Sequence, residues 1–348
     1  MGIDRGKTIR TWRLALTCIF LFLISWYYKI PESSWSLVTI WFVMYEYTTV
    51  GGVLNKSMLR FLGTVISASY GVIIIYFCGN DPIINMLALV AGLFFYTYWF
   101  MGNDKTYTGT IGAVTLTIVL LNYNDIEVAI LRAFNVLIGI IASVFMIRFF
   151  YPQYARNLLI EAQLGWCNQL IELIGGYLDL EQEQQSLKNK SYTFEHSFLA
   201  NLATYNRLVG EAKMETKSLP SFTTHCIAIK EEVQLLFRLF NLFFATLATA
   251  EGRNHPWVIA QFEAMRHKVQ AMKNQLLHVA PPLNQSIALF AEEDEKEAPV
   301  ALVLNNREAI EALIEEMNAL LDALGKEITH NVLIYEHYEC ILDDRLRI

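Results

Sequence analysis

The chain has 348 residues, 54% of them hydrophobic and 18% charged, against roughly 25% charged in an ordinary soluble domain. That apolar content excludes whole-chain disorder and a fibrous repeat. The formal net charge of −7 is unevenly spread: ten Lys/Arg and seven Asp/Glu precede Pro152, which leaves 17 and 27 after it, so an apolar block is followed by an acidic one that argues against nucleic-acid binding.

Six apolar runs precede Pro152, at 14–28, 35–50, 61–78, 83–101, 107–123 and 133–151. Each is 15 to 19 residues long, near what a roughly 30 Å hydrocarbon core requires. Short polar turns join them (IPESS, VLNKSMLR, GNDP, GNDK and NDIE). The pattern predicts six antiparallel spanning helices. Arg5, Lys7, Arg10 and Arg13 precede the first run as in a signal peptide, but Trp26, Tyr27, Tyr28 and Lys29 stand where a small-residue cleavage site would be.

Orientation follows the basic residues at helix ends. Arg5, Lys7, Arg10, Arg13, Lys56, Arg60, Lys105, Arg148 and Arg156 fall on one side, and Lys29 and Arg132 on the other. This places both termini in the cytoplasm. Trp12, Trp26, Tyr27, Tyr28, Trp35, Trp99 and Tyr151 lie near the run ends as an aromatic belt.

Some residues in this block are expensive in lipid. Glu46 lies within the second run, where a carboxylate needs a cation or water. Lys56 and Arg60, four apart, share one helix face beside glycines, as an anion site would want. Snorkelling accounts for Arg13 and Arg148. Gly63, Ser67 and Gly71 form a small-residue stripe for close helix approach. Gly109, Thr110, Gly112, Thr115 and Thr117 give the fifth run a face able to line a wet path.

From residue 153 the apolar spacing turns to three and four, over 154–180, 198–217, 222–250, 256–279, 307–328 and 331–346. Breaks fall at 181–190, Leu219-Pro220, Glu251-Gly252 and an acidic linker at 291–299. The prediction is an all-α chain: a six-helix transmembrane domain over 1–152, then a cytoplasmic antiparallel helical bundle over 153–348. The run 235–250 is too short to span and reads as bundle core or subunit interface.

The five cysteines show no C-x-x-C spacing and read as free thiols in a reducing compartment. No H-E-x-x-H, P-loop, G-x-S-x-G or dinucleotide loop is present. His330 and His337 with Glu336 and Cys340 read as a polar helix face rather than a metal site. No cofactor, metal or catalytic residue is assigned.

The stretch from Pro31 through Trp35 to Thr39, then Met44 through Glu46, Val50 and Gly51 to Lys56, then Arg60, Gly63 and Thr64, and finally Tyr70-Gly71, resembles a known pattern. It is similar to the superfamily of fusaric acid resistance proteins, aromatic acid exporters and aluminium-activated malate transporters. Those proteins share a W-x-x-x-T helix, a V-G-x-x-x-x-K turn and an R-x-x-G-T helix start. Arg132, Gly139 and the close at Phe150-Tyr-Pro152 fit it as well. The W-E-P signature of the plant branch is absent from the second half.

The resemblance implies an inner-membrane efflux carrier or channel for organic anions, aromatic carboxylates among them, working as a homodimer, with a periplasmic adaptor as a further partner. The substrate path would use Lys56, Arg60, Glu46, Thr39, Trp35, Thr115 and Arg132, with Glu46 coupling export to protons or holding a cation. Helix packing would rest on Gly51, Gly63, Thr64, Gly71 and Gly139. The alternative is a membrane-anchored interaction module whose cytoplasmic bundle recruits a partner.

Overall fold

A computed structural model describes residues 5–46, 48–78, 81–102, 105–121, 126–179, 184–216, 220–246, 255–280 and 307–346. Among these residues the secondary structure is entirely helical, in eleven helices. The chain divides into two compact units, Met1–Tyr154 and Ala155–Ile348.

The first unit contains α1 (Arg5–Tyr28), α2 (Ser34–Met44), α3 (Val50–Cys78), α4 (Pro82–Phe100), α5 (Thr106–Leu121) and α6 (Ile126–Phe149). Four of them are long and apolar enough to cross a membrane, over Thr8–Tyr28, Val50–Cys78, Pro82–Phe100 and Ile130–Phe149. The other two are short. At 1.5 Å per residue, α2 with 11 residues is about 16 Å long and α5 with 16 about 24 Å.

The second and third runs differ from their expected bounds. Helix α2 stops at Met44, and α3 begins at Val50. The segment 53–60, read as a turn, is thus the opening of α3. The Gly51-Gly52 pair looks like a breaker, yet the Thr49 hydroxyl accepts a hydrogen bond from the Gly52 N–H at 3.1 Å, which caps an orphan donor and starts the helix there. Glu46 consequently sits in the connection after α2, outside any helix, with its side chain 57% exposed.

Close packing in this unit depends on glycine. A Cβ on Gly63 would lie 2.7 Å from the Thr108 carbonyl oxygen and one on Gly71 2.4 Å from Val119 Cγ1, so α3 and α5 run side by side nearly backbone to backbone. A Cβ on Gly139 would lie 2.6 Å from the Ser36 carbonyl oxygen, which brings α6 equally close to α2. Ser67 and Tyr96 share a 2.6 Å hydroxyl–hydroxyl bond between α3 and α4. Gly51 is buried at the start of α3.

Helices α3 and α6 pack together, with α5 on the flank of α3 and α2 on the flank of α6, while α2 and α5 have little contact with one another. Two long helices therefore make a floor, and two short ones make walls.

Arg13 corrects the snorkelling expectation. It is 1% exposed, and its guanidinium donates to the carbonyl oxygens of Thr48 (3.2 Å) and Tyr151 (3.4 Å) and to Gln153 Oε1 (3.5 Å). Arg148 is exposed at the end of α6, as expected. Trp12, Trp26, Tyr27, Tyr28 and Trp99 are exposed on the outside of the unit, but Trp35 is turned inward.

The second unit holds α7 (Ala155–Leu178), α8 (Gln184–Glu215), α9 (Pro220–Thr246), α10 (Pro256–Val279) and α11 (Arg307–Leu346). Pro220 and Pro256 open their helices, where a missing N–H costs nothing. One expected break is corrected. Helix α8 resumes at Gln184, because Gln and Lys are good helix formers even where no apolar stripe marks them. No break separates Ile328 from Asn331, and α11 runs through Thr329, whose hydroxyl donates to the Gly325 carbonyl at 2.8 Å. The linker at 291–299 and the break at Glu251-Gly252 lie outside the described residues.

The core of this unit is aromatic: Tyr177, Phe240, Phe243, Phe244 and Phe262 are buried together, with Tyr177 and Phe262 centroids 4.0 Å apart. The apolar run from residue 235 thus supplies core, although Leu235 and Leu242 on its other face are exposed.

Candidate functional site

Between the walls and floor of the first unit lies a cavity of about 480 Å³. Trp35, Trp41, Phe42 and Tyr45 line it from α2 and the turn that follows, and Lys56, Arg60 and Thr64 from α3. Tyr107, Thr110 and Thr115 face it from α5 and Arg132 from α6, with Glu46 at one end. Three cations and one carboxylate share this space, so its wall carries an excess of positive charge.

Each cation is held differently. The Lys56 ammonium pairs with the Glu46 carboxylate and lies 4.6 Å from the centroid of the Tyr107 ring. Arg60 is 4% exposed; its Nε donates to Thr39 Oγ1 at 3.2 Å and its Nη1 to the Tyr107 hydroxyl at 3.3 Å. The Thr39 hydroxyl in turn donates a hydrogen bond to the Trp35 carbonyl at 2.7 Å, so it holds Arg60 in place from behind the cavity.

Arg132 is 3% exposed, and its Cζ lies 3.5 Å from the centroid of the Trp35 ring. Its Nε and Nη1 are buried and make no hydrogen bond within the described protein. Neither does the Thr64 hydroxyl. Buried donors without partners are costly, and the two residues that carry them are among those lining the cavity. The arrangement suits an anion with hydrogen-bond acceptors and an apolar body, since a planar guanidinium fork matches a carboxylate.

Six of the seven residues expected on a substrate path meet at this cavity, and Thr39 stands one contact behind it. Thr64, grouped with packing glycines by its motif, is buried and is also among the residues lining the cavity. The V-G-x-x-x-x-K turn is helical from its first residue, so Lys56 and Arg60 project from consecutive turns of one helix.

Tyr107 was missed by the sequence reading, though it orders two cations. The available signal was a polar-tipped aromatic at the head of the one apolar run rich in glycine and threonine.

The second unit offers a buried polar knot. Gln163 donates to the Tyr205 hydroxyl (3.2 Å), which donates to the Cys226 carbonyl (3.1 Å), and Asn331 donates to the Cys226 sulfur (3.5 Å). Burial pushes the thiols of Cys167 and Cys226 up to about 12, so neither is a nucleophile near neutral pH. His225 Nδ1 lies 2.5 Å from Glu327 Oε2 and its ring stacks on His330 at 5.4 Å. The side chains of His337 and Cys340 lie outside the described residues.

The comparisons with known proteins agree with the motif. The model of the fusaric acid resistance protein family matches residues 11–332. The inner membrane protein YeeA of Escherichia coli (strain K12) is 26% identical over 317 residues, covering 89% of this chain and 82% of that protein. With a family match running through both units and four helices of membrane-spanning length, the chain is a membrane protein belonging to the fusaric acid resistance protein family.

Proposed function

We propose that this protein is an inner-membrane transporter of organic carboxylate anions, aromatic ones among them, working as a homodimer, and that the cavity of the first unit is its substrate path. The observation that carries the reading is Arg132: a buried guanidinium with two unpartnered nitrogens, stacked on an indole and facing a cavity. Family membership supports the transport class, and the name of the related Escherichia coli protein supports the inner membrane.

In this reading the six helices of the first unit cross the membrane and the second unit is the cytoplasmic domain. With Lys56, Arg60, Arg13, Arg132 and Arg156 all buried, Arg5, Lys7, Arg10, Lys105 and Arg148 still stand on one side against Lys29 on the other, which favours cytoplasmic termini. The path then runs from Lys56 and Glu46 at the cytoplasmic end, past Arg60, to Arg132 and Trp35. The span from Tyr45 back to Trp35 along α2 is about 15 Å. The cations lower the cost of dehydrating the anion, and the rings of Trp35, Trp41 and Phe42 receive its apolar body.

The membrane-anchored interaction module is the second reading. It gives no role to three buried cations around a shared cavity, since an anchor needs only apolar length.

The test is flux of benzoate-type and dicarboxylate anions from purified protein in liposomes, with and without a pH gradient. Lys56→Ala with Arg60→Ala should abolish most of it. Unchanged flux in that double variant overturns the proposal. Flux that needs the pH gradient and is lost in Glu46→Gln assigns proton coupling to Glu46.

A further inference from the structure

The connection between α2 and α3 carries the carboxylate that pairs with Lys56. Its α3 end is tied by Arg13 to the Thr48 carbonyl and by the Val50 N–H to the Gln153 carbonyl at 2.8 Å. Its α2 end carries Glu46, which reaches Lys56 with a side chain still 57% exposed, whereas the Lys56 side chain is 9% exposed. Glu46 thus keeps most of its water while satisfying a buried cation. A pair of this kind is weak for its exposed member and indispensable for its buried one. Lys56 must have an anionic partner, and Glu46 can leave for water at little cost once another carboxylate takes its place.

We infer that Glu46 is a tethered competitor for the substrate carboxylate. It closes the Lys56 end of the cavity when no anion is bound and is displaced when one enters. The inference rests on the carboxylate-transport reading and concerns the regulation of the same site. A tethered group acts at a high effective concentration, and an occupant that must displace it sees its affinity reduced by the fraction of time Lys56 is free of Glu46. If that fraction is about one tenth, the penalty is about tenfold.

The experiment uses the full chain in liposomes with benzoate as probe. Glu46→Gln should lower the benzoate KM about tenfold. Glu46→Asp, which keeps the charge but shortens the reach, should move KM in the same direction. In a Lys56→Gln background, Glu46→Gln should bring no further gain. An unchanged or raised KM in both Glu46 variants overturns the inference, because a structural ion pair or a proton-coupling carboxylate predicts that result.

A second readout is independent of transport: the rate at which trinitrobenzenesulfonate modifies Lys56, followed by peptide mass spectrometry. It should rise about tenfold in Glu46→Gln, and an equal rate in both proteins overturns the inference. Absence of benzoate flux in the unmodified protein, together with fast labelling in Glu46→Gln, sinks the transport reading and leaves the gate standing.

Discussion

Arg132 lies over Trp35, with its Cζ 3.5 Å from the centroid of the indole ring. The stack holds the guanidinium by its face and leaves Nε and Nη1, both buried, without a hydrogen-bond partner among the described residues. A carboxylate partner would have done the opposite and consumed them.

Arg132→Lys should therefore be a severe change. An ammonium loses the planar stack, worth about 1–2 kcal/mol in a desolvated setting, and the two-pronged match to a carboxylate. We expect anion flux at low concentration to fall by about tenfold to a hundredfold, with thermal unfolding in detergent little altered. Trp35→Phe should lose less, because a ring remains beneath the cation. Equal losses in the two variants would count against the stack as the organising contact.

Gly63 and Gly71 both stand where α3 meets α5, but their surroundings differ. A Cβ on Gly63 meets backbone, the Thr108 carbonyl oxygen at 2.7 Å, whereas one on Gly71 meets the end of the Val119 side chain at 2.4 Å. Backbone cannot turn aside, and a β-branched valine on a helix is held to one rotamer, with Val119 Cβ itself 3.2 Å away. Gly63→Ala and Gly71→Ala should therefore each cost about 1–3 kcal/mol. Thermal unfolding of the two variants checks this, and an unchanged midpoint in either would contradict the packing described.

Arg13 joins three segments through the Thr48 and Tyr151 carbonyls and the Gln153 side chain. Arg13→Ala leaves buried acceptors unsatisfied and should destabilise the first unit by about 2–4 kcal/mol. Arg13→Lys should rescue little, because a single ammonium cannot fork across three acceptors. Recovery of full stability by lysine would show that only the charge matters.

Glu232, in the second unit, lies near Glu327 and has a buried Oε2 without a hydrogen-bond partner among the described residues. Burial first, then the charge of Glu327, raises its carboxyl from the ordinary 4.5 to about 7. Between these values the folded chain holds more protons than the unfolded one, so stability must fall as pH rises through that window. Glu232→Gln should flatten the fall and be the more stable form at pH 8. Unfolding midpoints that run parallel with pH in both proteins would remove Glu232 from the account.

Much of this was legible in the sequence, and the misses have physical reasons. The apolar runs, the loop signals and the spacing of Lys56 and Arg60 located the helices and the cations. Helix boundaries slipped where the polar segment 53–60 was read as a turn, because α3 starts at Val50 and holds the buried Gly51 and Gly52 inside it. The role of Arg13 was hidden because a cation at a helix start looks the same whether it meets lipid headgroups or the carbonyls of a distant loop. The continuity of α8 was hidden because its polar stretch carries helix propensity without an apolar stripe. The meeting of Tyr107 with both cations depends on the parallel approach of α3 and α5, which only the tertiary fold specifies.

The shortness of α2 has an electrical consequence. Along a path that follows this helix, the low-dielectric barrier is about 16 Å deep, roughly half the hydrocarbon thickness. In the transport reading proposed above, with water at both ends of this helix, most of the membrane voltage would fall across those few turns, and an anion moving from Lys56 to Arg132 would cross nearly all of it, about 2.3 kcal/mol per unit charge per 100 mV, while travelling only three turns of helix.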